Sequence, residues 1–567
     1  MTASVPRQDP PSENASPARK PEPGSGRGAL FVAAGILASR LMGLVRERVF
    51  AHYLGNAEAT AVFKAALRIP NFLQNLFGEG VLSGSFIPVY AQLLGEKKDE
   101  EADRLAGAIF GLLALAISVV VAAGMLATPL FVDLIAPGLE GDSRELAVEL
   151  VRIVFPGTGL LVLSAWCLGI LNSHRRFFLS YLAPVVWNLV LIATLVIMGG
   201  RSSERELVAQ LSYAVVLGSF LQFAVQVPPV LRLLGKFRPS ISAASASVRR
   251  VLRSFGTVVI GRGVVQISAY VDTAVASLLS ERALSSLFYA QTIYLIPVSL
   301  FGMAVSAAEL PEMSRATGDS TPEAVSAKLR ERIDAASRRV AFFVVPSAAA
   351  FLFIGDVVGA ALLQTGRFTS ADSRYVWYLL MGAAVGLVSS AVGRLYSSAF
   401  YALKDPGTPL RFAVLRVALT AGLTWVTGLY LPEMLGLPRH LGGVFITGVT
   451  GALAWMEAGL LRRSLARRIG GHVGPPPGLL PKLWACAAVA GLVGLGAKQL
   501  LTWLRGAIEG VGAEWGGSVL APPAMHPILT AAAVILPFGI VYFALTGALG
   551  MPQAQAVFRR VKRLLGR

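Results

Sequence analysis

The chain has 567 residues, of which 54% are hydrophobic and only 15% are charged, and its formal net charge is +18 at pH 7. A soluble domain usually carries about a quarter charged residues, so this composition excludes an ordinary soluble protein. Apolar runs near the ~20 residues that cross a bilayer recur along the whole chain. Because helices satisfy their own backbone hydrogen bonds in hydrocarbon, the sequence predicts an all-α polytopic membrane protein.

The apolar pattern predicts about fourteen transmembrane helices. In chain order they cover 28–54, 58–94, 103–128, 144–171, 178–199, 206–230, 251–279, 283–310, 336–362, 373–402, 408–431, 439–463, 480–504 and 526–549. The loops 231–253 and 311–339 and the segment 462–468 are rich in Lys and Arg, whereas 129–142 has none. The positive-inside rule therefore places the basic loops and both termini in the cytoplasm. It also accounts for the net charge without nucleic acid as a partner.

The remaining features of composition exclude several site types. Residues 1–27 are rich in Pro, Ser and charge, which predicts a disordered cytoplasmic tail. The two cysteines, Cys167 and Cys486, lie in apolar segments and form neither a disulfide framework nor a metal cluster. No HExxH, GxSxG or P-loop pattern occurs. We therefore expect no enzyme, no bound metal and no cofactor.

The first two predicted helices carry charges where lipid disfavours them: Arg40, Arg46, Lys64, Arg68 and Glu79. Charged residues inside a span are costly and by default mark a pathway or a binding site. Several arginines close together also repel each other, so an anionic ligand is their natural partner. The fixed donor fork of arginine suits phosphate oxygens. The pattern indicates an aqueous, cationic cavity for a substrate that bears phosphate or carboxylate.

A structural role is the alternative for some of these charges. Arg48 and His52 also suit a position at the membrane interface, and Glu47 also suits an ion pair with a neighbouring Arg. Glu309 and Arg394 are equally compatible with structural roles at the interface.

The segment 68–90, "RIPNFLQNLFGEGVLSGSFIPVY", combines charge with helix-breaking residues. Pro70, Gly78 and Gly84 favour a bend, and irregular backbone at membrane depth persists only beside protein or a water-filled cavity. We therefore predict a bent helix that lines the cavity.

The seventh predicted helix adds Arg262 and Asp272. These residues are ten positions apart, about 15 Å along a helix, so they do not pair directly. Arg262 extends the predicted cationic cavity, and Asp272 either neutralises an Arg of another helix or binds a cation.

Several segments resemble the MurJ (MviN) family of bacterial lipid II flippases, within the multidrug/oligosaccharidyl-lipid/polysaccharide exporter superfamily. They are "SRLMGLVRERVFAHYLG" (39–55), 68–90, "GILNSHRRFFLSYLAPVVWNL" (169–189), "TGRFTSADS" (365–373) and "SSAFYALKDPGTPLRFAV" (397–414). The resemblance runs in order from about residue 28 to 465. It implies a function in cell-wall synthesis at the bacterial cytoplasmic membrane, with lipid II and membrane lipids as partners.

The family architecture implies two lobes around a central cationic cavity. They are an N-lobe (28–230) and a C-lobe core (251–470), joined by a cytoplasmic linker (231–250). Residues 471–567 would supply two last helices, which form a groove for the undecaprenyl tail, and a basic C-terminal tail. Transport would proceed by alternating access, without a cofactor and with Na⁺ or the membrane potential as the driving force.

The resemblance also assigns roles to residues. Arg40 and Arg46 match essential arginines of the first helix, Arg68 matches the basic residue before the Pro-Asn pair, and Glu79 matches an acidic residue of the family motif. Asp272 resembles a sodium-ligating Asp of some relatives, which implies a candidate cation site that also includes the hydroxyls of Thr424 and Thr447.

The chain departs from the family at other cavity positions. Ala61 replaces an Asp, Gln74 and Asn75 replace an arginine pair, and Gln291 and Thr292 replace an Asp-Arg pair. Lys64 and Arg262 stand where those relatives are apolar, so we hypothesise that positive charge has been relocated within the cavity. The alternatives are a flippase for another undecaprenyl-linked glycan, an antiporter of the same superfamily, and a transport-inactive membrane scaffold.

Overall fold

The computed structural model describes residues 25–316, 321–514 and 526–564. Within these ranges the regular structure is helical and contains no β-strand, which confirms the all-α prediction. The prediction of a disordered tail over 1–27 lies almost wholly outside the described residues, which begin inside that range at Ser25.

Eight helices form the N-terminal half of the described chain. They are α1 (Ser25–Leu54), α2 (Glu58–Phe77), α3 (Glu79–Gly95), α4 (Asp99–Leu126), the short α5 (Thr128–Ile135), α6 (Gly141–Ser173), α7 (Phe177–Met198) and α8 (Glu204–Leu233). Helices α1, α7, α8 and α6 pack in that order, and α2 and α4 also pack on α6.

The C-terminal half begins with α9 (Ala246–Leu279) and α10 (Glu281–Pro297), and a wider π-helical turn joins α10 to α11 (Ala304–Ala316). The later helices are α12 (Pro322–Leu363), α13 (Ser370–Ala402), α14 (Gly407–Leu429), the short α15 (Leu431–Met434), α16 (Gly442–Ile469), α17 (Leu479–Glu514), α18 (Pro527–Ala548) and α19 (Pro552–Leu564). Helix α13 packs on α12 and α16, while α17 packs on α18 and α12.

The two halves, called the N-lobe and the C-lobe below, contact each other along a few helices. Helix α2 contacts α10, α3 contacts α9, and α1 contacts α12. Helix α9 also packs on α14, so it touches both lobes. The charged helices α1, α2 and α9 therefore lie at the boundary between the lobes, where a shared cavity would open.

Eleven helices in the described part of the chain are long and apolar enough to cross a membrane. Each corresponds to one of the fourteen predicted spans. The other three spans correspond to α1, to α2 with α3, and to α9, so the count of fourteen is not confirmed by length and hydropathy. Helix α2 carries Glu58, Lys64 and Arg68, and α3 has only 17 residues.

The predicted bend in the second span lies at Gly78. Helix α2 ends at Phe77 and α3 begins at Glu79, so Gly78 separates them. Its amide donates to the carbonyl of Gln74 at 2.7 Å. A β-carbon at residue 78 would lie only 2.4 Å from that carbonyl oxygen. Glycine is therefore required for this close approach, at the point where the helix of the second predicted span is interrupted.

Candidate functional site

Arg46 joins α1 to α7 inside the N-lobe. Its guanidinium donates to Asn188 Oδ1 at 3.1 Å and lies 5.0 Å from the centre of the Trp187 ring. The amide nitrogen of Asn188 donates to the carbonyl of Pro184, so the amide oxygen is turned toward Arg46. This arrangement fixes the position of the arginine fork, and 24% of its side chain stays exposed.

Glu47 lies between two cations. Its carboxylate accepts from Arg46 at 2.7 Å and from Lys64 of α2 at 3.0 Å. The Lys64 ammonium also lies 3.3 Å from the centre of the Tyr289 ring on α10. The side chains of Glu47 and Lys64 are only 12% and 10% exposed. The cluster of Arg46, Glu47 and Lys64, called the charge triad below, therefore carries one net positive charge at the boundary between the lobes.

Arg68 crosses directly from the N-lobe to α10. Its guanidinium donates to Gln291 Oε1 at 2.7 Å and lies 5.2 Å from the centre of the Phe288 ring. Tyr270 of α9 donates its hydroxyl to the Arg68 carbonyl at 3.1 Å. Lys64 and Arg68 thus both face α10, as their spacing of four residues predicts. The partner of Arg68 is one of the residues by which the chain departs from the resembled family.

The remaining predicted substrate-binding residues are Arg40, Glu79 and Arg262. Arg40 is exposed on α1, and within the described chain it forms no hydrogen bond or ion pair. The side chains of Glu79 and Arg262 lie outside the described residues, although both positions belong to helices, α3 and α9. The structure therefore brings Arg46 and Lys64 together, places Arg68 one helical turn beyond Lys64, and leaves the relocation of charge to Arg262 as a prediction.

The candidate cation site centres on Asp272 of α9, which is buried. The hydroxyl of Thr450 on α16 donates to the Asp272 carboxylate, with oxygen distances of 3.3 and 3.5 Å. Sequence reasoning missed Thr450, which lies one helical turn from the predicted Thr447. Thr447 instead donates to the carbonyl of Leu379 at 3.0 Å. A role for Thr447 as an ion ligand stays a prediction.

Helix α14, which packs on α9, carries two buried hydroxyls. Thr420 and Thr424 are both fully buried, and neither hydroxyl oxygen has a hydrogen-bond partner in the described chain. Buried hydroxyls are rarely left without a partner. Helix α14 packs on α9, which carries Asp272. The donor set consists of oxygen atoms only, which fits a hard cation.

The lobes are tied together at the end predicted to face away from the cytoplasm. Asn56, in the turn between α1 and α2, donates to Ser286 Oγ at 2.7 Å and to Asp372 Oδ1 at 3.3 Å. Arg282 of α10 donates to the same Asp372 oxygen at 2.7 Å. We call these four residues the outer latch. Sequence reasoning missed them because they stand at helix ends, where polar residues are ordinary.

Two of the other charged candidates, Glu309 and Arg48, form contacts between helices. Glu309 accepts from Arg339 at 2.6 Å and from Arg332 at 3.4 Å, so it ties α11 to α12. Arg48 donates to the Ala361 carbonyl at 2.6 Å, which fastens α1 to α12.

Comparison with known proteins identifies the relatives of this arrangement. A family model described as lipid II flippase MurJ matches residues 50–508. The lipid II flippase MurJ of Burkholderia cenocepacia is 30% identical over 541 residues, which cover 94% of this chain and 99% of the relative. The probable lipid II flippase MurJ of Rhizobium meliloti is 29% identical over 540 residues, covering 94% and 95%.

Solved structures share the fold. A lipid II flippase MurJ in an inward closed conformation superposes with a TM-score of 0.70 at 21% identity, covering 95% of this chain and 100% of that one. An inward-facing multidrug resistance MATE family transporter of the MOP superfamily gives a TM-score of 0.62 at 17% identity, covering 78% and 98%. Because the family model spans most of the sequence, this chain belongs to the lipid II flippase MurJ family.

Proposed function

We propose that this protein is a lipid II flippase, which moves the lipid-linked peptidoglycan precursor from the cytoplasmic to the outer leaflet of the membrane. Family membership along residues 50–508 is the observation that carries the proposal. The charge triad and Arg68 supply cations at the lobe boundary, where the pyrophosphate of such a lipid would be bound.

The charge triad suggests how the pyrophosphate binds. Arg46 is the most exposed member, and its fork matches the geometry of phosphate oxygens. When Arg46 turns from Glu47 to a phosphate, Lys64 still neutralises Glu47 at 3.0 Å. The Glu47 carboxylate therefore keeps a counter-charge. A buried carboxylate without a counter-charge would be costly. Lys64 therefore permits Arg46 to exchange partners.

Alternating access provides the transport cycle. The outer latch holds the lobes together at the end away from the predicted cytoplasmic loops. Opening the latch and closing the opposite ends would release the head group outside. The undecaprenyl tail would meanwhile stay in lipid along a groove formed by α17 and α18, which pack on α12.

The basic loops set the orientation in this proposal. The protein lies in the bacterial cytoplasmic membrane with both termini in the cytoplasm, as the positive-inside rule indicates. Membrane lipids surround it and lipid II is its substrate. No catalytic step is required.

A cation bound at Asp272 would favour one conformation of the transport cycle over the other. We propose that Asp272, Thr450 and Thr424 would hold a sodium ion, because a buried carboxylate and two hydroxyls offer hard oxygen ligands. The bound ion would supply positive charge that neutralises Asp272, and the two hydroxyls would supply further oxygen ligands. The membrane potential is the other candidate driving force.

Complementation tests the proposed function. The resident lipid II flippase of a bacterial host is depleted while this chain, Arg46→Ala or Arg46→Lys is expressed at matched membrane levels. We expect the wild type to restore growth, Arg46→Ala to fail, and Arg46→Lys to restore growth poorly because it keeps the charge but loses the fork. Failure of the wild type despite good expression would favour another undecaprenyl-linked glycan, an antiporter or a scaffold.

A further inference from the structure

A cavity of about 610 Å³ lies on the outer surface of α16, apart from the charge triad and the candidate cation site. It is lined by Trp455, Met456, Gly459, Leu460, Arg462, Arg463, Ala466, His472 and Val473. The residues of α16 that pack inside the protein, Ala458, Leu461 and Leu465, are buried on a different face of the helix. The cavity therefore opens toward the surroundings of the C-lobe and not toward the lobe boundary.

One end of the cavity is cationic. Arg462 donates through Nε to the Val473 carbonyl at 2.7 Å, and its Nη2 lies 2.7 Å from His472 Nε2, which holds the loop after α16 as a wall. The loop is also bound to α12, because the Gly474 amide donates to Asp334 of that helix at 2.9 Å. Arg463 is exposed and forms no hydrogen bond or ion pair within the described chain. No carboxylate is among the lining residues.

The other end of the cavity is apolar. Trp455, Met456 and Leu460 line this part of the cavity, and Trp455 is 41% exposed. Arg463 lies eight positions after Trp455, which is about 12 Å along a helix. Gly459 stands between them, and a β-carbon there would meet no atom within 4 Å. We call this open part of the cavity beside Gly459 the hollow. A larger side chain at residue 459 would fill it.

We propose that this cavity binds an anionic phospholipid from the cytoplasmic leaflet. The phosphate would lie against Arg463 at the end predicted to face the cytoplasm, and an acyl chain would run past Gly459 toward Trp455. A charged end beside an apolar wall matches a lipid, whereas a soluble anion would make no use of the apolar wall. Tryptophan is also typical of the membrane interface.

Native mass spectrometry of the full-length protein in neutral micelles tests this site, with phosphatidylglycerol titrated against phosphatidylcholine. We expect Arg463→Gln to lower the affinity for phosphatidylglycerol about tenfold, as for the loss of a charge-assisted hydrogen bond. Gly459→Leu should do the same by filling the hollow with every charge intact. Arg467→Gln is the matched control, because Arg467 is exposed on the same helix but does not line the cavity.

Three results would overturn the proposal. Equal losses for Arg463→Gln and Arg467→Gln would indicate general surface attraction. Wild-type affinity in Gly459→Leu would show that the hollow holds no lipid. Displacement of the lipid by inorganic phosphate at equal concentration would indicate a site for soluble anions. Each variant is first checked for an unchanged melting temperature, and the binding readout does not depend on flipping.

Discussion

Removing the central carboxylate of the charge triad should destabilise the protein more than removing one of its cations. Glu47→Gln leaves Arg46 and Lys64 close together without a counter-charge, and the Lys64 side chain is only 10% exposed. Breaking a buried pair by removing one partner costs about 3–5 kcal/mol. Because Arg46 keeps 24% exposure, water screens part of this cost. We expect a loss of about 3 kcal/mol in the free energy of unfolding.

The companion variants separate charge from packing. Lys64→Met leaves Glu47 paired with Arg46 at 2.7 Å, so it should cost only about 1–2 kcal/mol. The double variant combines Glu47→Gln with Lys64→Met. In it Arg46 still donates to Asn188, and no buried ammonium is left unpaired. Its loss should therefore be about 2 kcal/mol, well below the sum of the single losses.

Equilibrium unfolding in mixed micelles, with detergent as the denaturant, provides the free energies for this cycle. The wild type and the three variants are compared at the same lipid content and ionic strength. Two results would show that Glu47 does not compensate the two cations. One is a loss in unfolding free energy below about 1 kcal/mol for Glu47→Gln, and the other is a double variant whose loss equals the sum of the single losses.

Three further predictions concern other parts of the site. Gly78→Ala should lower transport and the melting temperature, because its β-carbon would meet the Gln74 carbonyl oxygen at 2.4 Å; an unchanged melting temperature would contradict this. Gln291→Glu should raise the melting temperature by pairing with Arg68, whereas Gln291→Arg should lower it by repulsion; thermal unfolding in detergent checks both signs. Asp272→Asn should abolish any stabilisation by sodium over potassium chloride; a sodium effect that persists in this variant would exclude the site.

The sequence predicted the helical architecture well because hydropathy and length decide it. The break in the second span was predictable from Gly78 among polar residues, since helix breakers at membrane depth need a cavity. The apolar pattern also predicted spans that length and hydropathy of the observed helices do not identify, such as α2 with Lys64 and Arg68, and these stay predictions.

The pairings across the lobes could not be predicted in the same way. Gln291 lies 223 positions from Arg68, and no local pattern links them. Thr450 and not Thr447 donates to Asp272. The two threonines share a face of α16 about 4.5 Å apart along the helix, so the sequence alone does not decide which of them lies level with Asp272. The outer latch consists of polar residues at helix ends, which in a sequence are indistinguishable from caps.

We propose that this chain moves lipid II between leaflets and that Arg46 binds its pyrophosphate. The most direct measurement follows lipid II in cells depleted of the resident flippase, using a reagent that modifies lipid II only in the outer leaflet. We expect outer-leaflet lipid II with the wild type and its loss with Arg46→Ala at equal membrane abundance. Equal amounts of outer-leaflet lipid II with both proteins, or none with either, would contradict it.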